Sequence, residues 1–194
     1  MPTIANTPIK VCSRASLLMG GEAITSFTDG SAESDIADAM YEDVARSALT
    51  NTRWRFATNQ SVLNRLSFAP TGRFNSAYQL PSGFLMLSAV TVNGFNIIYD
   101  TYGDKVYCDA SPTDSLVADY IFRAEESTWP AYFTIAVEYM MAAVFATSLA
   151  RDATLSNLFE QKAEFQMRQA RRLHSQQQTT RKLNTSRFIA QRRS

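Results

Sequence analysis

"NTRWRFATNQSVLNRLSFAP", residues 51–70, is the stretch where the chain changes its hydrophobic period. Upstream of it, apolar residues recur every three or four positions, the spacing that lines one face of a helix. Downstream the period drops to two, as on a half-buried strand. Trp54 and Phe56 sit at the change, flanked by Arg53 and Arg55. Aromatics interleaved with arginines can be a stacking platform for nucleic acid, or the seam between two structural units. A platform needs several exposed aromatics on one sheet face within a basic field. One short cluster in a net-acidic body does not supply that, so Trp54 and Phe56 are read as core anchors at a junction.

Toward the N-terminus, Thr7-Pro8 reads as a helix start, a cap followed by proline at the first position. Ile9, Cys12, Ala15 and Leu18/Met19 repeat at helical spacing, and Gly20-Gly21 stops the helix. After a Gly/Ser/Thr-rich loop to about residue 32, a second helix places Ile36, Met40, Val44 and Ala48 on one stripe. Asp35, Asp38, Glu42 and Asp43 fall mostly off it, and the helix ends near residue 50.

Toward the C-terminus, "SVLNRLSF" is strand-like, and Tyr78–Pro81 is extended because the residue before proline avoids the helical region. "FLMLSAVTVNGFNIIYD", residues 84–100, predicts a hairpin around Asn93-Gly94, the dipeptide favoured by type I′ turns. "KVYC" and "LVADYIFRA" offer further strands. Helical spacing returns after Ser127-Thr128, with Trp129 and Pro130 at the start of a third helix to about residue 150. A fourth carries Leu155, Leu158/Phe159, Ala163, Met167, Ala170 and Leu173 on one face. Residues 131–150 are long enough to span a bilayer, but Glu138 falls near the middle, where a charge costs at least about 2.5 kcal/mol. A helix buried on most sides is expected instead.

The expected fold is therefore α+β: a four-helix bundle with an inserted, mostly antiparallel β lobe and an extended basic C-terminal tail. Residues 1–52 give the first two helices, 53–126 the lobe, 127–175 the last two helices, and 176–194 the tail. The 194 residues and 45% apolar content suit a folded chain with a sizeable core. Its net charge of +1 hides a polarity: residues 1–164 hold 11 Lys/Arg against 18 Asp/Glu, whereas residues 165–194 hold 8 and no acid. Arg168, Arg171 and Arg172 on the fourth helix lead into Arg181, Lys182, Arg187, Arg192 and Arg193, with Leu183, Phe188 and Ile189 as apolar anchors. Such a segment gains most by docking on an acidic surface.

Chemistry-bearing motifs are scarce. Cys12 and Cys108 match no metal or redox spacing and read as buried free thiols in a reducing compartment. His174, the only histidine, has no nucleophile or metal partner in sequence and reads as a solvated imidazole. "MGGEA" is not a phosphate loop, and Asp29, Glu33, Asp35, Asp38, Glu42 and Asp43 lack the calcium-loop pattern. No enzyme, cofactor or metal is expected. The N-terminus has no basic region followed by an apolar run, so no secretory signal is expected.

In order along the chain stand Leu17-Leu18-Met19-Gly20-Gly21-Glu22, "ESDIADAMYEDVARSALT", Trp54-Arg55-Phe56, Tyr78-Gln79-Leu80-Pro81, Ile98-Tyr99-Asp100 and Trp129-Pro130-Ala131-Tyr132-Phe133. This succession, over roughly residues 9–165, resembles the head-to-tail adaptors of short-tailed bacteriophages, the tail tubular protein A family. The glycine doublet and the strongly basic tail depart from the family pattern.

The resemblance implies a structural virion protein at the head–tail junction, assembled in the bacterial host cytoplasm. It implies a dodecameric ring between the portal protein and the tail nozzle (tubular protein B type), with fibres or spikes as further neighbours. Duplex DNA would pass through the lumen without specific binding, past an acidic face for which Glu33, Asp35, Asp38, Glu42 and Asp43 are candidates. Trp54, Phe56, Tyr78, Leu80, Pro81, Trp129 and Pro130 would be structural anchors, and the basic tail the portal-side clamp. The rival expectation is a DNA-binding packaging or regulatory protein using the tail on phosphates. A tail-borne polysaccharide hydrolase would need a carboxylate pair in a cleft.

Overall fold

The computed structural model describes residues 6–68 and 72–177. Helix α1 spans Pro8–Met19; the Thr7 hydroxyl accepts the Lys10 N–H at 3.2 Å, and Gly20 closes the helix at φ +90°. Its buried face is Val11, Cys12, Ala15 and Ser16, so Leu17 and Leu18 point outward. Helix α2, Ala32–Thr50, starts at Ser31, whose hydroxyl accepts the Ser34 N–H at 3.1 Å. Asp29 braces the approach by accepting from Ser31 and Thr25, and those bonds hold its carboxyl well below the usual range.

The face of α2 turned inward is Ser34, Ala37, Tyr41, Ala45, Ala48 and Leu49. Of the expected stripe only Ala48 is on it; Ile36 and Val44 are half-buried and Met40 is exposed. Small side chains win the central positions because they let the helix backbone approach its neighbour, while the larger residues flank the contact.

Eight strands follow among the described residues: β1 Thr58–Val62, β2 Asn64–Arg65, β3 Ser76–Gln79, β4 Phe84–Val92, β5 Phe95–Asn96, β6 Tyr99–Tyr102, β7 Lys105–Cys108 and β8 Leu116–Phe122. They form two four-stranded antiparallel sheets, ordered β1-β8-β4-β5 and β2-β3-β7-β6. Tyr78 and Val106 from one sheet meet Val90, Leu116 and Ala118 from the other in a core of their own. Asn93 and Gly94, at φ +50° and +82°, make the I′-type turn that the dipeptide predicts. The return strand is shorter than expected: β5 pairs with β4 through Phe95 and Asn96, and one more bond runs from the Ile97 N–H to the Val90 carbonyl at 3.2 Å. The chain then crosses at Ile97-Ile98 to enter the second sheet as β6, so "IIYD" belongs to two sheets rather than one hairpin.

Helix α3, Ala131–Phe145, runs into a π turn, Ala146–Ala150, and stops at Arg151 in the left-handed region, φ +50°. Helix α4, Ala153–Gln176, begins at Asp152, which accepts the N–H groups of Thr154 and Leu155. Among the described residues one helix, Ala131–Ala150, is long and apolar enough to cross a membrane, and 56% of that window is buried inside the fold. Glu138 within it pairs with Arg14 of α1, Nε to Oε1 2.7 Å. Burial pushes the Glu138 carboxyl up, against the pull of Arg14.

The chain is α+β, as expected, but the four-helix bundle is not what forms. Among the described residues four helices of unequal length accompany two full sheets, and α3 is a hub with nine of its 15 residues buried. Helices α1, α2 and α4 each pack on α3, and α4 rests on α3 and the π turn. A bundle needs four apolar stripes converging on one axis. Here the apolarity is unevenly placed: α3 is buried on several sides, α2 offers an alanine face, and α4 a single stripe already covered by α3. The helical core also takes in Trp54, Ala57, Ile121 and Ala124 from the lobe's edge.

Candidate functional site

The junction anticipated at Trp54 is a built feature. Trp54 is wholly buried, donates its indole N–H to the Ala48 carbonyl at 3.0 Å, and closes the end of α2. Its ring lies 6.0 Å from Phe56, and edge-on to Phe133 at 5.2 Å. Trp129 stands perpendicular to Phe133 at 4.9 Å and donates to the Ala124 carbonyl at 3.0 Å. Pro130 precedes α3 as its cap. The two tryptophans thus fasten the chain's exit from, and return to, the helical layer onto one phenylalanine of the hub helix. Tyr78 and Leu80 are buried apart from them, in the core between the sheets, and Pro81 follows at the end of β3.

His174 belongs to this junction, which corrects its reading as a solvated imidazole. It is buried, meets the Trp54 ring edge-on at 5.3 Å, and its Nε2 accepts the Arg55 N–H at 3.3 Å. Arg55 also donates to the Gln177 carbonyl, so the last turn of α4 is fastened to the entrance of the lobe. Sequence spacing gave no sign of this, since 119 residues separate the partners. Burial lowers the His174 imidazole below its ordinary 6.5 against the pull of the Arg53 backbone, and the neighbouring Arg55 cation acts in the same direction as burial. The unfolded chain therefore takes up the proton first as pH falls. Stability from this contact is present above 6.5 and lost as pH drops from there toward the folded value. Thermal melts of the native chain should show that loss, and His174→Phe, which keeps an aromatic ring but cannot titrate, should flatten it.

A second polar centre, unmarked in the sequence, lies where β8 leaves the lobe. Arg123 Nε donates to both carboxylate oxygens of Glu42 at 3.2 and 3.1 Å, and its terminal nitrogen pairs with Glu126. Tyr41 donates to the same Glu126 oxygen at 2.8 Å, and Arg46 reaches Glu42 at 2.6 Å. The guanidinium also lies over the Trp129 ring, 5.7 Å from its centroid. Burial alone would raise Glu42, but the hydrogen bonds from Arg123 and Arg46 outweigh it and hold the carboxyl low. Burial and the bond to Glu126 push the Tyr41 hydroxyl up. Glu42 is thereby held in ion pairs with Arg123 and Arg46, its side chain still partly exposed.

Of the other acidic candidates, Asp35, Asp38 and Asp43 are exposed on α2 and Glu33 is half-buried. No ion pair reaches any of the four among the described residues. No group of three or more His, Cys, Asp or Glu among the described residues could hold a metal. Cys12 and Cys108 are free and buried, and burial first of all pushes their thiols up to about 12 and about 11.

Arg168, Arg171 and Arg172 are exposed on α4. Arg181, Lys182, Leu183, Arg187, Phe188, Ile189, Arg192 and Arg193 lie outside the described residues. Apolar side chains face solvent on both units among the described residues. On α4, Leu158 and Phe165 join Tyr139 of α3 around a shallow pocket of about 320 Å³. On the lobe, Phe95, Ile98 and Tyr102 are 77%, 86% and 61% exposed, an unusual degree for such side chains. No family model matches the chain, and no curated protein matches it.

Proposed function

We propose that the chain is a structural virion subunit, a head-to-tail adaptor forming a ring between a portal and a tail nozzle around a passage for the genome. The observation that carries this reading is the distribution of unsatisfied surface over both structural units. The helical unit offers the Tyr139/Leu158/Phe165 patch and three arginines without a described carboxylate partner; the lobe offers Phe95, Ile98 and Tyr102. Contiguous exposed apolar surface, as around the α4 pocket, marks a surface that another protein covers. A connector needs several: its ring neighbours, the portal on one side and the nozzle on the other. The order of sequence motifs that resembles the adaptor family supports the same reading. Asp35, Asp38 and Asp43 are the acids left exposed on α2 to line a passage, where negative charge would keep duplex DNA from adhering.

One observation favours DNA binding instead: Arg168, Arg171 and Arg172 lie at the spacing that groups side chains on one helix face, leading into five further basic residues. Native mass spectrometry with the cognate portal ring separates the two. The comparison is between the full chain and one ending at Gln177, a cut that preserves the bond between Arg55 and the Gln177 carbonyl. The adaptor reading expects full-length chain bound at portal stoichiometry and loss of binding on truncation. No portal binding, together with DNA affinity that falls about 0.9 log units per neutralised phosphate per log unit of salt, would overturn it.

A further inference from the structure

We propose that the groove between α2, α3 and α4 is a resting site for this chain's own basic C-terminal segment, residues 178–194. The groove measures about 530 Å³, within the ~300–1,000 Å³ of ordinary binding clefts. Val44 of α2, Met140 and Val144 of α3 and Met167 of α4 line it with apolar surface. Glu160 and Glu164 stand on its α4 wall, and no cation among the described residues pairs with either.

Three features select this occupant. The first is where the chain leaves the body. His174 against Trp54 and Arg55 on the Gln177 carbonyl hold the end of α4 at the lobe entrance. Asn51, just before that entrance, and Arg171, on the last turns of α4, both line the groove. The second is reach. From Gln177 back to Glu160 is about 26 Å of helix at 1.5 Å per residue, which about eight extended residues cover at ~3.4 Å each. When the chain turns back at Gln177, Phe188 is therefore within range of the whole groove and Leu183 of its nearer part. The third is chemistry: residues 178–194 carry Arg181, Lys182, Arg187, Arg192 and Arg193 and no acid, with Leu183 and Phe188-Ile189 between them. Its apolar side chains suit the methionine- and valine-lined floor in chemistry, and its cations suit the carboxylates of Glu160 and Glu164. The groove's own Arg168 and Arg171 set the limit on that attraction, which makes Glu160 and Glu164 the residues to vary.

This inference stands apart from the adaptor reading and holds for any partner of the segment. A partner that binds the segment must compete with the groove, so its apparent affinity is reduced by the fraction of chains docked. The test places p-benzoylphenylalanine, a photo-crosslinker that favours methionine, at Phe188 of the full chain. Expected are adducts within one chain on Met140 or Met167, at low and high protein concentration alike. Their yield should fall several-fold in E160K/E164K, whose exposed positions leave the fold intact by circular dichroism. Adducts on other surfaces, adducts joining two chains, or a yield indifferent to E160K/E164K would overturn the proposal.

Discussion

Trp54→Ala should lower the free energy of unfolding by about 3–5 kcal/mol, the range for emptying a fully buried aromatic site. The site has little scope to collapse. Phe56, Phe133 and His174 surround the ring at 6.0, 5.2 and 5.3 Å, and each is held from another element. Phe133 is fixed on the hub helix against Trp129, and His174 by the Arg55 N–H. Removing the indole therefore leaves a cavity and also unlocks the end of α4. Trp54→Phe should cost much less, about 1–2 kcal/mol, because most of the apolar contact survives. The lost indole bond is partly covered, since the Ala48 carbonyl also accepts the Asn51 N–H at 3.4 Å. Urea denaturation of both variants provides the measurement. A Trp54→Ala cost below about 1 kcal/mol would mean the junction is not the keystone the geometry makes it.

That junction also shows what was legible in the sequence. The change of period at residue 54, the Asn93-Gly94 turn, the Thr7-Pro8 start and the Gly20 stop all follow from local rules that short stretches of chain state openly. The expected assignment of Trp54 and Phe56 to the seam rested on such a rule. What the sequence concealed was the choice of neighbours. Helix α2 turns alanines inward because its partner is close, a fact that depends on α3 and cannot be read from α2 alone. The bundle failed for the same reason: four helical patterns do not say whether the helices converge on one axis or gather round one of them. His174 looked solvated because its surroundings in sequence are basic and polar, yet its surroundings in space are Trp54 and a backbone N–H from far upstream. Among the candidate acids, Asp35, Asp38 and Asp43 are exposed with no ion pair among the described residues, while Glu42 pairs with an arginine 81 residues away.

Arg123→Ala should cost about 3–5 kcal/mol, the range for breaking a buried ion pair from one side. Glu126 is 7% exposed, and without Arg123 its charge would keep only the Tyr41 hydroxyl as a donor. Glu42 would fare better, because it is partly exposed and retains Arg46 at 2.6 Å. Most of the penalty is therefore the stranded Glu126 charge, and the ring contact with Trp129 is the smaller loss. This separation can be measured. In a Glu126→Gln background the charge is already gone and Tyr41 can still donate to the amide oxygen, so Arg123→Ala should cost far less. The two changes should couple by about 1–3 kcal/mol in a double-mutant cycle of denaturation energies. Additive effects would show that Arg123 acts through Glu42 or through its packing on Trp129, leaving Glu126 satisfied by Tyr41 alone. Because α2, β8 and the approach to α3 all meet at this guanidinium, the cycle also tests whether the lobe and the helical layer unfold together. A variant that melts in two steps would place the seam at Arg123 as well as at Trp54.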